Sequence, residues 1–317
     1  MRGAALHGGR GAGGPAALRL AAVAGALIAA STALGYERTT GEGGRCLWWD
    51  ARVVPYALRG AGGNAADPAC RAEGDARAAI RAAFDGWAGA SRTGAARSCT
   101  DLRFEDRGAA PAAAEGAGLV TWRGRPCRSP LVPDDDPCHA EGRCGERYDC
   151  WDHGPYYVAV TAVRYRSQTG EISGGEIELN GWTGQPGAEG FYFTCVTPEA
   201  GAARTCSAPG EDACVYADVQ TVVTHEAGHL LGFAHVADRA SVMFHSVEVG
   251  EVRRVLTADD VEGVCTAYPA GGRTATCLPG GGCAGGPSSG GSLLLAALAA
   301  LAVRTRGGAV RRRPGRG

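Results

Sequence analysis

The stretch THEAGHLLGFAH at residues 224–235 constrains this chain more than any other, because it holds three of only seven histidines. Helical residues four apart differ by about 40° of rotation, so His225 and His229 lie on one face and can bind one ion. Gly232 tolerates the left-handed backbone that ends a helix, and the chain beyond it can return His235 to that ion. The pattern therefore predicts a helix that ends near Gly232 and a three-histidine zinc site.

Glu226 follows the first of these histidines directly. A catalytic zinc keeps its fourth position for water and lowers the pKa of that water from about 15.7 to about 7. A neighbouring carboxylate can take the proton as hydroxide attacks a carbonyl, and can return it to the leaving amine. The spacing therefore predicts hydrolysis by zinc-activated water, with one catalytic Zn²⁺ and Glu226 as general base. A purely structural zinc site would fill the fourth position with a protein ligand.

Two motifs give the chain a family resemblance. HEAGHLLGFAH matches the zinc signature of the metzincin metallopeptidases, and SVMF at 241–244 resembles their Met-turn. Within metzincins the chain is most similar to the matrixins, the matrix metalloproteinase-like family, over roughly residues 46–270. The resemblance implies a zincin-like α+β fold: a mixed twisted β-sheet with a long N-terminal helix, an active-site helix, a C-terminal helix and disulfide-stapled loops. It also implies that Met243 forms an apolar floor under the zinc ligands.

The same resemblance implies a mode of substrate binding. An edge strand within VAVTAVRY would pair antiparallel with an extended polypeptide, and Phe244 would line the pocket for the residue after the scissile bond. His245 lies where some metzincins carry a tyrosine that assists the transition state, so it is either a polar helper or a surface histidine. Two features depart from the matrixin pattern: a cysteine-switch motif is absent, and Val236 stands where matrixins usually have serine.

Local patterns predict the main elements of an α+β protein built on a mixed sheet. Apolar residues at Ile80, Phe84 and Trp87 follow a helical stripe. Asp218 is a natural N-cap for the histidine helix, and Thr257 with Asp260 forms a capping-box-like start to a closing helix. The predicted strands are RVVPYAL at 52–58, LRFED at 102–106, LVTW at 119–122, and two runs on either side of QTGE within YYVAVTAVRYRSQTGEISGGEIELNG.

The thirteen cysteines favour an oxidising compartment and a disulfide framework. Without Cys283 their number is even, although the pairing stays open. Cys46 is either a disulfide partner or a zinc-capping thiol. The irregular loop 125–155 holds four cysteines, which favour disulfides over metal. The alternative is a calcium or structural zinc site among its acids and histidines, namely Asp134, Asp135, Asp136, His139 and His153.

The first 35 and the last 42 residues differ in composition from residues 36–275. Residues 1–35 combine a basic lead, a short apolar run and small residues, which is typical of a signal peptide. Residues 276–317 carry Cys283 in a Gly-rich motif, then eleven apolar residues and an arginine cluster. That order resembles the C-terminal sorting tails of myxobacterial surface proteins, with Cys283 as the anchoring or processing residue; the alternative is an unstructured tail. Residues 36–275 form the expected catalytic domain.

These observations predict a secreted or cell-surface bacterial zinc endopeptidase that acts on polypeptides as a monomer, with anchoring through the tail. The formal net charge of −1 gives no reason to expect nucleic acid as a partner. Two other functions remain open. One is a surface binding or adhesion protein with a non-catalytic zinc site, and the other is a zinc amidase that acts on a non-peptide or cell-wall amide.

Overall fold

Seven of the described strands form one mixed sheet, and four short strands form two small two-stranded sheets. A computed structural model describes residues 35–59, 70, 73–109, 118–181, 190–195, 204–209, 211, 214–277 and 298–304, within a compact unit that begins at Leu34. The predicted signal peptide, except for Gly35, and Cys283 lie outside the described residues. The strands are β1 Val53–Arg59, β2 Arg103–Ala109, β3 Gly118–Arg123, β4 Tyr157–Tyr165, β5 Ile172–Asn180, β6 Phe193–Thr194, β7 Arg204–Thr205, β8 Cys214–Val215, β9 Ala217–Asp218, β10 Ser246–Glu248 and β11 Leu298–Arg304.

Five helices accompany the strands: α1 Glu73–Ala88, α2 Cys138–Glu141, α3 Cys144–Tyr148, α4 Val219–Leu230 and α5 Ala258–Ala267, with a 3-10 turn at Glu42–Gly44. The order of elements confirms the predicted α+β layout. The strands that the sequence predicted correspond to β1 through β5, and the two runs around QTGE form the β4–β5 hairpin. Within the part of the chain described here, no helix has the length and apolar character needed to cross a bilayer.

The main sheet has the strand order β10-β11-β4-β5-β3-β1-β2. Strands β2, β1, β3 and β5 are parallel to one another, whereas β4 is antiparallel to β5. The mixed sheet therefore agrees with the expected architecture. Strand β4 differs from the expectation in one respect: it is not an edge strand, because β11 from the C-terminal tail pairs with it.

Helices α1 and α4 pack against each other, and α4 also packs against β4 and β5. The predicted stripe of Ile80, Phe84 and Trp87 is completely or almost completely buried. The Trp87 indole N–H donates to the Thr224 carbonyl over 2.8 Å, and its ring stacks on Phe233. A buried indole whose single N–H donates to the neighbouring helix fixes the distance between the two helices. Helix α4 is thus held from one side by α1 and from the other by the sheet.

Both ends of α4 are defined by the residues that the sequence predicted. The Asp218 carboxylate accepts from the Thr221 N–H over 2.8 Å, as an N-cap does, and Arg254 forms an ion pair with the same carboxylate. Gly232 has a φ of 84° just after the helix, and a Cβ there would lie 2.3 Å from the Leu47 carbonyl oxygen. Only glycine fits this turn, which sends the chain back toward α4.

Six disulfides connect the described segments, and all twelve cysteines outside Cys283 take part. The pairs are Cys46–Cys277, Cys70–Cys195, Cys99–Cys265, Cys127–Cys150, Cys138–Cys144 and Cys206–Cys214. The predicted disulfide framework is therefore confirmed. Cys46 is a disulfide partner, which excludes the alternative of a zinc-capping thiol. Within loop 125–155 the two disulfides and the small helices α2 and α3 give the irregular sequence a fixed form.

Candidate metal centre

Three histidine side chains converge at the C-terminal half of α4. His225 and His229 project from one face of the helix, and His235 reaches them after the turn at Gly232. Their Nε2 atoms lie 2.9 Å apart for His225 and His229, 3.1 Å for His229 and His235, and 3.2 Å for His225 and His235. Three nitrogens at these separations can all bind one Zn²⁺ at about 2.0–2.1 Å.

The opposite ring nitrogens fix the tautomers of two of these histidines. The His225 Nδ1 lies 2.6 Å from the Val242 carbonyl oxygen, and the His229 Nδ1 lies 2.8 Å from the Phe233 carbonyl oxygen. A carbonyl oxygen only accepts, so each Nδ1 carries the proton and each Nε2 presents a lone pair. Lone pairs that face each other at this distance repel unless a cation lies between them. The donor set therefore fits the zinc that the sequence predicts.

The electrostatics also favour neutral, metal-binding imidazoles. Burial and the neighbouring histidine charges lower the pKa of His225 well below its ordinary value. The same two causes lower the pKa of His229 to about 3, and burial with the charge of His245 lowers the pKa of His235 to about 4. Neutral imidazole is the form that binds zinc. At neutral pH these ligands need not lose protons before they bind a metal.

Glu226 is buried beside the histidines and bonds to the sheet. The Thr161 hydroxyl in β4 donates to the Glu226 Oε2 over 2.6 Å, and it also lies 3.2 Å from the Glu226 carbonyl oxygen. Both residues are almost completely inaccessible to solvent. A short bond to a buried hydroxyl holds a carboxylate in one orientation. Strand β4 therefore positions the predicted general base.

Met243 lies beneath the histidine helix, as the resemblance implied. It is 3% exposed, and a Cβ built on Gly228 would lie 2.2 Å from its sulfur. The thioether thus packs directly on the helix backbone between His225 and His229. A glycine inside a helix costs stability, and this one is explained by the close approach of Met243 and Trp87.

The turn that carries Met243 is tied to α5 by Asp260. The Ser241 hydroxyl donates to the Asp260 Oδ1 over 2.5 Å, and the Val242 N–H donates to its Oδ2 over 3.2 Å. Asp260 also accepts from the Thr257 N–H, which completes the predicted capping box. Val236, which departs from the matrixin pattern, donates its N–H to the Met243 carbonyl over 3.1 Å. One bond to the chain after His235 and two to Asp260 thus fix the Met-turn.

Phe244 and His245 occupy different surroundings. Phe244 is 8% exposed, with the guanidinium groups of Arg239 and Arg253 5.4 and 5.7 Å from its ring centre. It lines a cavity of about 400 Å³ beside β10, together with both arginines. His245 is exposed, with its ring centre 6.3 Å from that of His235. Phe244 thus lines a pocket, none of the three histidines is among the residues that line it, and the roles of Phe244 and His245 stay predictions.

The aspartates of loop 125–155 do not converge on a metal position. Asp136 accepts from the Tyr148 hydroxyl, the Arg147 guanidinium and the Cys138 N–H. Asp134 and Asp135 are exposed. His139 adjoins Cys138 and Cys144, whose thiols are bonded to each other. Within the described ranges, none of the three aspartates belongs to a group of close metal-ligating atoms.

His153 belongs to a different group, at the end of β5. Ligand atoms of Asp152, His153 and Glu178 lie within 4.8 Å of one another. The completely buried guanidinium of Arg123 donates to Glu178 over 3.1 Å and to Glu176 over 3.0 Å. A permanent cation already balances these carboxylates. Of the acids and histidines that the sequence analysis named in loop 125–155, His153 is the one that still lies in a group able to bind a metal. A calcium or second zinc site there stays a prediction.

Sequence reasoning singled out the three histidines that converge but missed two residues that contact the site. Thr161 lies sixty-five positions from Glu226 on another element, and no spacing rule connects them. Asp260 was read only as a cap, although it also holds the Met-turn. The close packing at Gly228 could have been predicted, because a glycine inside an apolar helix indicates that another group approaches the backbone there.

Fold and site together define a metzincin-like protein. More narrowly, the likeness is to matrixins: residues 182–269 match the family model Peptidase_M10, described as matrixin. The chain is 42% identical over 53 residues to metalloendoproteinase 2-MMP of Arabidopsis thaliana, and 43% identical over 54 residues to metalloendoproteinase 1-MMP of the same plant. Each match covers 17% of this chain, and the chain spans only 14% and 15% of the length of these relatives.

Proposed function

We propose that this chain is a zinc-dependent endopeptidase of the matrixin type. The observation that carries the proposal is the convergence of three Nε2 atoms within 3.2 Å of one another, with the carboxylate of Glu226 on the same helix. The similarity to two plant metalloendoproteinases supports the same activity. Glu226 also argues against a purely structural zinc site, which gains nothing from a buried carboxylate beside its ligands.

His225, His229 and His235 would hold the zinc, which when bound supplies a Lewis acid that acidifies water and polarises a carbonyl. Glu226 accepts the proton of the attacking water at its carboxylate and returns it to the leaving amine. Thr161 keeps that carboxylate in place through its hydrogen bond to Oε2. Met243 packs beneath the proposed ligands and keeps helix α4 at a fixed distance from the Met-turn.

The substrate class in this proposal is an extended polypeptide. Strand β4 lies next to Glu226, so a peptide that pairs with β4 on the side away from β5 would bring a carbonyl to the metal centre. The cavity beside Phe244 would take the side chain that follows the scissile bond. Arg239 and Arg253 share the lining of that cavity with Glu248 and Glu251, and Arg253 forms an ion pair with Glu251. We therefore expect a preference for polar side chains over large apolar ones.

Location is a separate part of the proposal. The six disulfides support folding in an oxidising compartment, in keeping with a signal peptide over residues 1–35. We also propose that the tail over residues 276–317 sorts the protein to the cell surface, with Cys283 as the processed residue.

The test compares the full chain with its Glu226→Ala variant. Zinc is measured per chain, and both proteins are incubated with a mixed peptide library whose products are read by mass spectrometry. We expect one zinc in each protein and cleavage by the wild type alone, because the histidines bind the metal without Glu226. Zinc in both proteins with no cleavage by either, and none after the tail beyond Cys277 is removed, would favour the binding protein or the non-peptide amidase. A folded wild type without zinc would contradict the metal site.

A further inference from the structure

One short segment of the C-terminal tail joins two parts of the metal centre. Residues 298–301 of β11 pair antiparallel with β4, from Leu298 opposite Ala162 to Leu301 opposite Ala159. Residues 302–304 of the same strand pair in parallel with Ser246–Glu248 of β10. β11 therefore fills the space between two strands that would otherwise each present an unpaired edge.

This position is next to the catalytic groups. Ala299 lies opposite Thr161, the residue whose hydroxyl bonds to Glu226. β10 begins three residues after Met243, and backbone atoms of β11 approach helix α4 to within 8 Å. The strand thus runs past the level of the general base and on along the segment that follows the Met-turn.

An extended substrate and β11 require the same backbone groups. Peptide recognition by strand addition uses the free N–H and C=O groups of an edge strand, and one edge accepts one strand. We propose that Leu298–Arg304 is an intramolecular occupant of the substrate slot, and that it keeps the site closed to peptides until the tail leaves. This inference rests on the proposed function, and it would make the tail a latency device for the site.

The tether explains how a weakly pairing segment can hold this position. The paired residues read LAALAVR, and alanine has a low preference for strands, so the segment would bind poorly as a free peptide. Only residues 278–297 separate it from Cys277, which is bonded to Cys46. A short linker between two interacting segments gives an effective concentration in the millimolar range. Because the pairing is weak, cleavage of the linker or an anchoring reaction on it is enough to release the strand.

Cys283 lies between the last disulfide and the occupying strand. Any processing of the chain at or soon after Cys283 therefore separates β11 from the catalytic domain and opens the slot. Sorting and activation would then be one event, so that the enzyme becomes active at the place where its tail is removed.

The test introduces prolines into the paired segment of the full, zinc-loaded chain. Alternate strand residues donate to opposite sides, so Ala299→Pro with Ala300→Pro removes whichever N–H faces β4. The matched control carries Ala309→Pro with Val310→Pro, later in the same tail. For the first variant we expect kcat/KM on a fluorescence-quenched peptide to rise about tenfold or more over wild type. A rise of this size corresponds to a slot that β11 occupies in more than about 90% of wild-type molecules. The control should show no such rise. Equal rates for both would overturn the proposal.

A second readout does not depend on turnover. In a Glu226→Ala background, amide hydrogen exchange of residues 157–163 should be slow in the control and faster in the variant with prolines at 299 and 300. Fast exchange in the control would show that β11 does not pair there and would overturn the proposal. The amides of residues 157–163 could also be protected while no protein with an intact active site hydrolyses peptides. The proposed function and the inhibitory role would then both be wrong, and only the strand pairing would stand.

Discussion

At the scale of single residues, the hydrogen bond from Thr161 to Glu226 is the contact on which proton transfer depends in the proposed mechanism. We predict that Thr161→Val lowers kcat roughly 10- to 100-fold, because hydrogen bonds to charged groups contribute about 1.5–3 kcal/mol. Valine keeps the shape of threonine and removes only the hydroxyl. The measurement is kcat on a quenched peptide at saturating zinc, with zinc content determined in parallel.

Thr161→Ser is the matched control, because it restores the hydroxyl and loses only a methyl group. We expect it to retain most of the wild-type kcat. A valine variant with full zinc and wild-type kcat would show that Glu226 is oriented by other contacts.

The same pair shows how far single residues can be predicted from sequence. The ligands and the general base follow from helix geometry, since four residues bring two side chains to one face. The identity of Thr161 as a partner does not follow, because strand β4 meets α4 only after the sheet has assembled. Local spacing predicts which residues share a face, whereas contacts between elements require the register of the sheet.

At the scale of elements, the packing of α4 on the Met-turn depends on Gly228. We predict that Gly228→Ala lowers the free energy of unfolding by about 1–3 kcal/mol, because its Cβ would lie 2.2 Å from the Met243 sulfur and 2.9 Å from Trp87. The better helix propensity of alanine opposes this loss by at most about 1 kcal/mol. The measurement is chemical denaturation of the zinc-loaded protein, with zinc affinity as a second readout.

Gly86 in α1 offers a matched control in the neighbouring helix. A Cβ there meets nothing within 4 Å, so Gly86→Ala should leave stability unchanged or raise it by up to about 1 kcal/mol. Equal effects of the two substitutions would mean that helix propensity alone decides the outcome and that the Met243 contact is unimportant.

The longer elements were largely predictable, whereas the short strands β6 to β10, the short helices α2 and α3, and strand β11 were not. Strands β1 to β5 have alternating or continuous apolar runs bounded by turn residues, and α1, α4 and α5 have periodic stripes or caps. β11 has neither signal, because LAALAVR is rich in alanine and belongs to an apolar run that resembles a sorting segment. Its strand conformation comes from its two partners in space, β4 and β10.

At the scale of the whole molecule, the group around Arg123 couples folding to pH. Burial lowers the pKa of His153, but its hydrogen bond to Glu178 and the charges of Glu178 and Asp152 outweigh burial and raise it. Burial raises the pKa of Glu178, and its bonds to His153 and Arg123 outweigh that effect and lower it. The folded protein therefore favours charged forms of both groups.

We predict that the stabilisation contributed by His153 decreases at alkaline pH. Its pKa is raised in the folded state, so the contribution is complete below the unfolded value of about 6.5 and is lost as the pH rises through the folded value. The difference in unfolding free energy between the parent and His153→Gln should thus be larger near pH 6 than near pH 9. A Glu226→Ala background prevents self-digestion during these measurements.

His139→Gln serves as the control, because His139 is an exposed histidine in the same loop. Its effect on stability should be small and should vary little across the same pH range. If the His153 variant gave a difference that grew with pH, the proposed sign of the pKa shift would be wrong.

The cysteines illustrate the limit of prediction at this scale. Their even number indicated disulfides, but twelve cysteines allow many pairings, and only the folded chain shows which are close. The pair Cys46–Cys277 is the clearest case, because its members are 231 positions apart and come together through the packing of the N-terminal segment against the end of the domain.

That bond closes the described domain into a covalent ring. A single peptide-bond cut anywhere between Cys46 and Cys277 opens the ring but leaves both pieces attached, so no fragment diffuses away. For a protein that by our proposal is secreted and able to cut its own copies, a nick therefore leaves a molecule of almost unchanged mass. Such damage becomes visible only after reduction, and gels run without a reducing agent would overestimate how much of a preparation is intact.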